Sequence, residues 1–452
     1  MASGSARMVT TTHNATKAQT LLHSVLRNIA SSTLFKNMAS LGLLQLANYV
    51  IPILIIPFVV RALGTEHFGL ASYAQNIVSY LTIFINYGFE YSATQDIALN
   101  RADHRRTCEI FSAVIRFKLL LLAASFVLLF ILGLASPQIS SDIPLYIFAA
   151  LINIGFAIYP TWFFQGREEM EKMALANLAV KLLGAALIVV FIRRSDDYRL
   201  YLLLLSLSQI AVGIMSYVYV IRHYRLTFTP PGRTLMRHVI RKGFPIFLNN
   251  LFATLYTASG LTILGLYAPA SEVGIYAGAH KIIMAVVTLS CMPLSLALFP
   301  MISRRFSESQ SDGWKLYKRC LLLATLFGLA VSAVTYLAAP LAVRLLLGSE
   351  FAGAVPLLRL FAPLPFLVIM ATMFTIQGLY GLQLQRFAPI VGGTVGTVCV
   401  LLNLILIPRH GMYSAAIGYM LAELLEILIS ASIIYIFAIR TQRKNRTLHS
   451  QK

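Results

Sequence analysis

The feature that most limits what this chain can become is the length of its apolar runs. Residues 41–60 read LGLLQLANYVIPILIIPFVV, and residues 70–90 form a second run ending in FINYGFE. Each is about 20 residues, the length a helix needs to cross a hydrocarbon layer roughly 30 Å thick. A link, RALGTEHFG, joins them, with Arg61, Gly64 and Gly69 marking a turn. Within the runs lie Gln45, Asn48, Gln75, Asn76 and Asn86. Amides inside a bilayer need partners in protein or water, so these positions are expected to face a bundle interior or an aqueous path.

The pattern repeats along all 452 residues, which are 58% hydrophobic and only 12% charged, with mean hydropathy +0.74. Soluble domains carry about 25% charged residues, so the expected fold class is an all-α polytopic membrane protein. Twelve spans are predicted: 41–60, 70–90, 110–134, 143–164, 173–192, 200–221, 244–267, 274–300, 320–345, 355–380, 387–407 and 412–438. About 26 Lys and Arg side chains fall on the side of the links that holds both termini, against about six on the other, including Arg61 and Arg409. That bias predicts both termini in the cytoplasm. It also accounts for the net charge of +20 without nucleic acid, which is not expected as a partner.

The longest polar link, 222–242, contains Pro230, Pro231 and Gly232 and divides the chain into two sets of six spans. The expected parts are a cytoplasmic leader (1–38), an N-lobe (39–221), the linker (222–242), a C-lobe (243–439) and a basic tail (440–452). In the leader, 21–38 has apolar residues at helical spacing, which suits an interfacial helix or an ordinary cytoplasmic extension; no cleavable signal peptide is expected. The lobes echo one another: FGLASYAQN resembles VGIYAGAHK, pairing Gly69 with Gly274 and Asn76 with Lys281, and FQGREEM weakly mirrors YGLQLQR, pairing Gly166 with Gly381. Six is an even number, so the repeats are parallel, related by an axis along the membrane normal, with a path expected between them.

Five cations remain within the spans: Arg116, Lys118, Lys181, Lys281 and Arg359. A charge at the bilayer centre costs about 3 kcal/mol or more unless paired or wetted. Arg116 and Lys118 are expected to snorkel to the cytoplasmic interface. Lys281 is too deep for that, and with Arg359 and Arg61 it is a candidate for a cationic lining, joined by Asn48, Gln75 and Asn76 as polar lining. Glu423 and Glu426, three apart on one helix face of the last span, are candidates for coupling an ion, or equally for a structural pair with Lys181 or another cation. The four cysteines lack metal-ligand spacing, and no catalytic constellation, metal site or cofactor motif is found in the sequence.

QLANYVIPILIIPFVVRALGTEHFGLASYAQN, followed by NYGFEYSATQDIA and by WFFQGREEM at Trp162 to Met170, resembles the bacterial polysaccharide flippases of the O-antigen (Wzx) type. These belong to a superfamily with the multidrug and toxin extruders and the lipid II flippases. Asn86, Glu90 and Gln95 depart from the family pattern, where an Asp is common before Tyr87-Gly88-Phe89 and an Asn and a basic residue follow it. Roles that depend on those charges are therefore not carried over.

The resemblance implies a flippase, not an enzyme. Its cargo would be a polyprenyl-diphosphate-linked oligosaccharide, an O-antigen or related surface polysaccharide unit, moved across the bacterial inner membrane by alternating access. Implied partners are that cargo and membrane lipid, with room for a polysaccharide polymerase and a chain-length regulator. A multidrug or small-solute antiporter of the same superfamily, and a membrane glycan polymerase or acyltransferase, are the alternatives.

Overall fold

The computed structural model describes the backbone of residues 33–450 and the side chains of residues 50–438. Most of the 1–38 leader, including 21–32 of its amphipathic stretch, lies outside the described residues, as do the side chains of Gln45, Asn48 and the basic tail. No strand occurs among the described residues. The helices are α1 (Thr33–Asn86), α2 (Phe89–Leu99), α3 (His104–Ala135), α4 (Ile143–Arg167, broken at Leu151 and Pro160), α5 (Met170–Phe191), α6 (Tyr198–Tyr224), α7 (Arg233–Tyr267), α8 (Ala270–Glu308), α9 (Gln310–Leu346), α10 (Ala354–Tyr380, with short breaks), α11 (Ala388–His410) and α12 (Met412–Ser450).

Eleven stretches among the described residues are long and apolar enough to cross a membrane. The first is two arms: Gly64, at φ 68° and ψ −179°, interrupts α1. Counting 33–63 and 65–86 separately gives the expected twelve. The predicted link 61–69 is thus a single residue. A side chain at φ 68° would be strained, so glycine at position 64 is what permits so abrupt a break. Gly69 takes no part in the turn; it lies in helix and serves packing.

The two halves meet where α1 crosses α8. A Cβ added to Gly69 would lie 1.9 Å from Ala270 O and 2.8 Å from Gly274 N, and one added to Gly274 would lie 1.9 Å from Thr65 O and 3.1 Å from Gly69 N. Residues 65 and 69 are the repeat equivalents of 270 and 274. Each of the two turns therefore touches its own counterpart, which is the reciprocity a twofold axis requires. Small residues let helix backbones approach this closely in membranes, where packing rather than the hydrophobic effect joins helices. The second echo holds as well. Gly166 packs on Ile97, while Gly381 packs on Ile302, the residue equivalent to Ile97.

The end of the bundle holding the chain termini, the terminal end, differs from the far end in how its core is joined. At the far end one apolar cluster runs through both halves, with Val60, Phe68 and Leu145 from the first and Leu264, Tyr276, Phe351 and Ala415 from the second. Toward the terminal end the core divides. Phe111, Trp162 and Phe89 pack with Val239 and Phe247 of α7. Ile302, Phe306 and Tyr317 form a separate cluster, and Leu379, Val391 and Ile434 another. Among the described residues, the beginning of α7, lying on α2 and α3, carries the second half across to the first at this end.

Gly274→Val should overfill the α1–α8 contact and cost about 1–3 kcal/mol, seen as a lower Tm of the purified protein in detergent. Gly232→Ala, in the linker with nothing within 4 Å, should leave Tm unchanged.

Candidate functional site

Polar side chains within the spans fall into three groups. The first lies in the contact between the halves. Lys281 Nζ donates to Gln75 Oε1 at 3.3 Å and sits 4.7 Å from the centre of the Phe68 ring. Asn76 Nδ2 donates to Thr262 Oγ1 at 2.6 Å and to Ala258 O at 3.2 Å, and Tyr80 OH lies 3.0 Å from Thr262 Oγ1. Arg61 reaches the last turn of α9, donating from Nη2 to Leu345 O at 3.1 Å, where a cation suits the exposed carbonyls of a helix C-terminus. Gln75, Asn76, Lys281 and Arg61 thus tie α1 to α7, α8 and α9 along the far half.

Arg359 is not part of that group. It is exposed on α10 with its guanidinium 5.3 Å from the exposed Tyr336 ring of α9, on the outer surface of the second half. The structure therefore does not bring Arg359 together with Lys281. Residue 359 lies one turn into α10, and its helix faces that side chain outward, a fact the linear distance to the helix end could not convey.

The second group is a cavity of about 350 Å³ inside the N-terminal half. Asn86 and Glu90, with Gln165 and Met170, line it toward the terminal end; Lys118, Asn177, Lys181 and Gln209 line it deeper in. Here the structure corrects the snorkelling expectation. Arg116 is exposed, but Lys118, near the midpoint of the 32-residue α3, is 3% exposed and points inward. Its ammonium donates to Phe156 O at 2.7 Å. Residue 160 is proline and has no N–H to bond the carbonyl four residues before it, so Phe156 O is left open within the membrane. Lys118 fills that vacancy. The signal was in the sequence as Pro160, but its partner, 38 residues earlier, was not.

The third group is a cavity of about 260 Å³ inside the C-terminal half, lined by Asn249, Tyr256, Thr375, Tyr380, Glu423 and Glu426 among others. Thr375 donates to Glu426 Oε1 at 2.9 Å and lies 3.0 Å from Ser430 Oγ. Thr375 belongs to a π-helical stretch, Met373–Tyr380, that ends α10. Glu423 is 2% exposed, and no ion pair forms to either glutamate among the described residues. Lys181 lines the cavity of the other half. The two cavities occupy equivalent places: Phe156, Gln165 and Asn177 correspond to Ala371, Tyr380 and Gly392, and Gln209 to Glu423. Equivalent in position, they are opposite in charge.

The motifs that carried the family resemblance fold into supports around these groups. In NYGFEYSATQDIA, Asp96 of α2 takes an ion pair from Lys242 and lies 3.5 Å from His238 Nε2, both on α7. Tyr87 stacks on Phe247 with ring centres 5.1 Å apart. In WFFQGREEM the three aromatics are buried, Gly166 O accepts from Arg101 Nε at 2.7 Å, and Glu168 pairs with Arg101 at 2.5 Å. Arg167 stands over the Tyr224 ring at 5.1 Å.

Comparison with known proteins agrees with this architecture. The profile of the family described as "Polysaccharide biosynthesis protein" matches residues 34–306. Two relatives named "Putative O-antigen transporter" are similar: one from Escherichia coli K12, 28% identical with 77% of this chain and 84% of the relative covered, and one from Shigella dysenteriae, 26% identical over 75% and 84%. Among solved structures, a lipid II flippase MurJ in an inward closed conformation superposes with TM-score 0.67 at 12% identity, covering 88% of this chain and 87% of that one. An inward-facing multidrug resistance MATE family transporter of the MOP superfamily gives 0.63 at 15%, covering 88% and 98%. With the matched profile spanning well over half its length, this chain belongs to the polysaccharide biosynthesis protein family, on the all-helical two-lobe fold that MurJ and MATE transporters share.

Proposed function

We propose that this protein is a flippase that moves a polyprenyl-diphosphate-linked oligosaccharide, an O-antigen or related surface polysaccharide unit, from the cytoplasmic to the outer leaflet of the bacterial inner membrane. The observation that carries this reading is the uneven core: continuous between the halves at the far end, divided at the terminal end. That is the form of a transporter closed on one side. The excess of Lys and Arg on the terminal side supports a cytoplasmic position for that end. The relatives named as O-antigen transporters support the cargo class.

In this reading the N-lobe (39–221) and C-lobe (243–439) rock against one another, and the seam between α1 and α8 is where the path opens outward. Glycines touch there, beside the apolar cluster in which Phe68 of the first half meets Phe351 of the second. Lys281 and Gln75, just inside the seam, are the groups cargo would meet as the halves part. Asn76 and Arg61 hold the closed state. Glu423 and Glu426 are assigned to the coupling ion, because they are buried carboxylates in a polar cavity away from the seam.

Purified protein in liposomes, loaded with a fluorescent polyprenyl-diphosphate oligosaccharide, should exchange the label between leaflets without lengthening the glycan. Glycan growth would replace the flippase with a polymerase, and exchange of small cationic solutes alone would favour an antiporter. Lys281→Ala should slow exchange at least tenfold with insertion and monodispersity retained; wild-type exchange would remove Lys281 from the path. Glu423→Gln should abolish the response of exchange to an imposed proton or Na⁺ gradient, and an unchanged response would end the coupling assignment.

A further inference from the structure

We propose that the cavity at the terminal end of the second half, between the end of α8 and the α10–α11 turn, binds the headgroup of an anionic phospholipid of the adjoining leaflet, with Arg304 as its phosphate ligand. The inference stands apart from the transport reading, because it concerns a lipid of the membrane and not the cargo.

The cavity holds about 520 Å³ and is lined by Phe299, Pro300, Ser303, Arg304, Gln310 and Gln383 among others. It arises where the repeat is broken. The α4–α5 and α10–α11 turns are alike: Glu168 and Gln383 both have φ 60°, and Glu169 N bonds Phe164 O at 3.0 Å as Leu384 N bonds Leu379 O at 2.7 Å. The helices beside those turns differ. α2 ends at Leu99, and the chain folds back so that Arg101 bonds Gly166 O and Glu168 while Arg167 Nη1 donates to Arg101 O at 2.8 Å. α8 runs on past Arg304, the equivalent of Leu99, as far as Glu308. Position 306, matching Arg101, is a phenylalanine turned into the core against Trp314 and Tyr317, and position 383, matching Glu168, is a glutamine. The clasp that folds over Gly166 therefore has no counterpart over Gly381 among the described residues.

Charge follows the same division. Residues 94–114 and 165–173 hold five Lys and Arg against six Asp and Glu, whereas the equivalent 299–319 and 380–388 hold six against two. The first half neutralises this surface with its own carboxylates, and the second leaves it positive around an open cavity. The bias of loops toward Lys and Arg acts on both halves, so it does not account for the difference. Glu308 is shared between two guanidiniums, accepting from Arg304 Nε at 2.8 Å and from Arg305 Nη1 at 3.2 Å. A guanidinium has five N–H donors, so that bond leaves Arg304 its two terminal nitrogens for a phosphate, which it can hold by two parallel bonds.

The position of the cavity makes the ligand a lipid. Phe299 and Pro300 close the eighth predicted span, 274–300, and Arg304 comes one turn later. The wall thus passes from apolar to cationic over about 6 Å of helix, the order in which a leaflet passes from acyl chain to phosphate. The hydroxyl of Ser303 and the amides of Gln310 and Gln383 suit the glycerol and ester oxygens around that phosphate.

Trp314 packs on Phe306, ring centres 5.5 Å apart, and Phe306 lines the cavity, so Trp314 emission reports on a lipid held there. With the full chain in phosphatidylcholine nanodiscs, dibromo-phosphatidylglycerol should quench Trp314 saturably, at a mole fraction about fivefold lower than dibromo-phosphatidylcholine requires, as a cationic site at this depth attracts anionic lipid. Loss of the signal in Trp314→Phe identifies the quenched component. Arg304→Gln should cancel the preference, and Gln383→Glu, which copies Glu168 of the first half, should cancel it by repelling the phosphate. Arg105→Gln, removing an exposed cation at the same end of the first half, should leave it intact. Equal quenching by the two lipids overturns the proposal. So does an equal loss in Arg105→Gln and Arg304→Gln, which marks diffuse attraction to the whole basic face. Release of the brominated phosphatidylglycerol by millimolar inorganic phosphate overturns the lipid assignment in favour of a soluble anion. None of these readouts requires leaflet exchange of an oligosaccharide, so failure of the flippase reading would leave the lipid site standing, and loss of the site would leave the flippase reading untouched.

Discussion

Inside a hydrocarbon layer a polar group has no water to fall back on, and each one must be met by protein or by a wetted cavity. That requirement organises this molecule. Asn76 meets Thr262 and Ala258 O; Lys281 meets Gln75; Glu426 meets Thr375; Lys118 meets the carbonyl that Pro160 leaves open. The first two of these bonds run between the halves and the last two within one half. The polar groups of the spans therefore divide into struts that fasten the far end and linings that furnish cavities.

The struts sit beside a contact of a different kind. Where α1 crosses α8 the backbones touch through Gly69 and Gly274, and the equivalence of those two positions places the contact near the twofold axis. The same contact lies within the continuous apolar cluster of the far end, where Phe68 of the first half meets Phe351 of the second with ring centres 6.0 Å apart. At the terminal end, Tyr87, Phe84 and Phe247 pack at the start of α7. The Asp96–Lys242 pair fastens the same place.

The two halves share a fold but not a chemistry. Lysines line the cavity of the first and glutamates that of the second, at places related by the repeat.

The helical spans and the pairing of Gly69 with Gly274 were legible in the sequence, because apolar length and short repeats are properties of neighbouring residues. The single-residue turn at Gly64 was half legible: the link was found, but the helices close to within one residue of each other. What the sequence by itself could not determine was the direction in which each intramembrane cation points. Lys118 and Arg116 are two residues apart, and one is buried while the other is exposed; Arg359 faces outward although its depth resembles that of a lining residue. Distance along a helix is written in the chain, but which face of that helix meets protein is settled only when the other helices have packed around it.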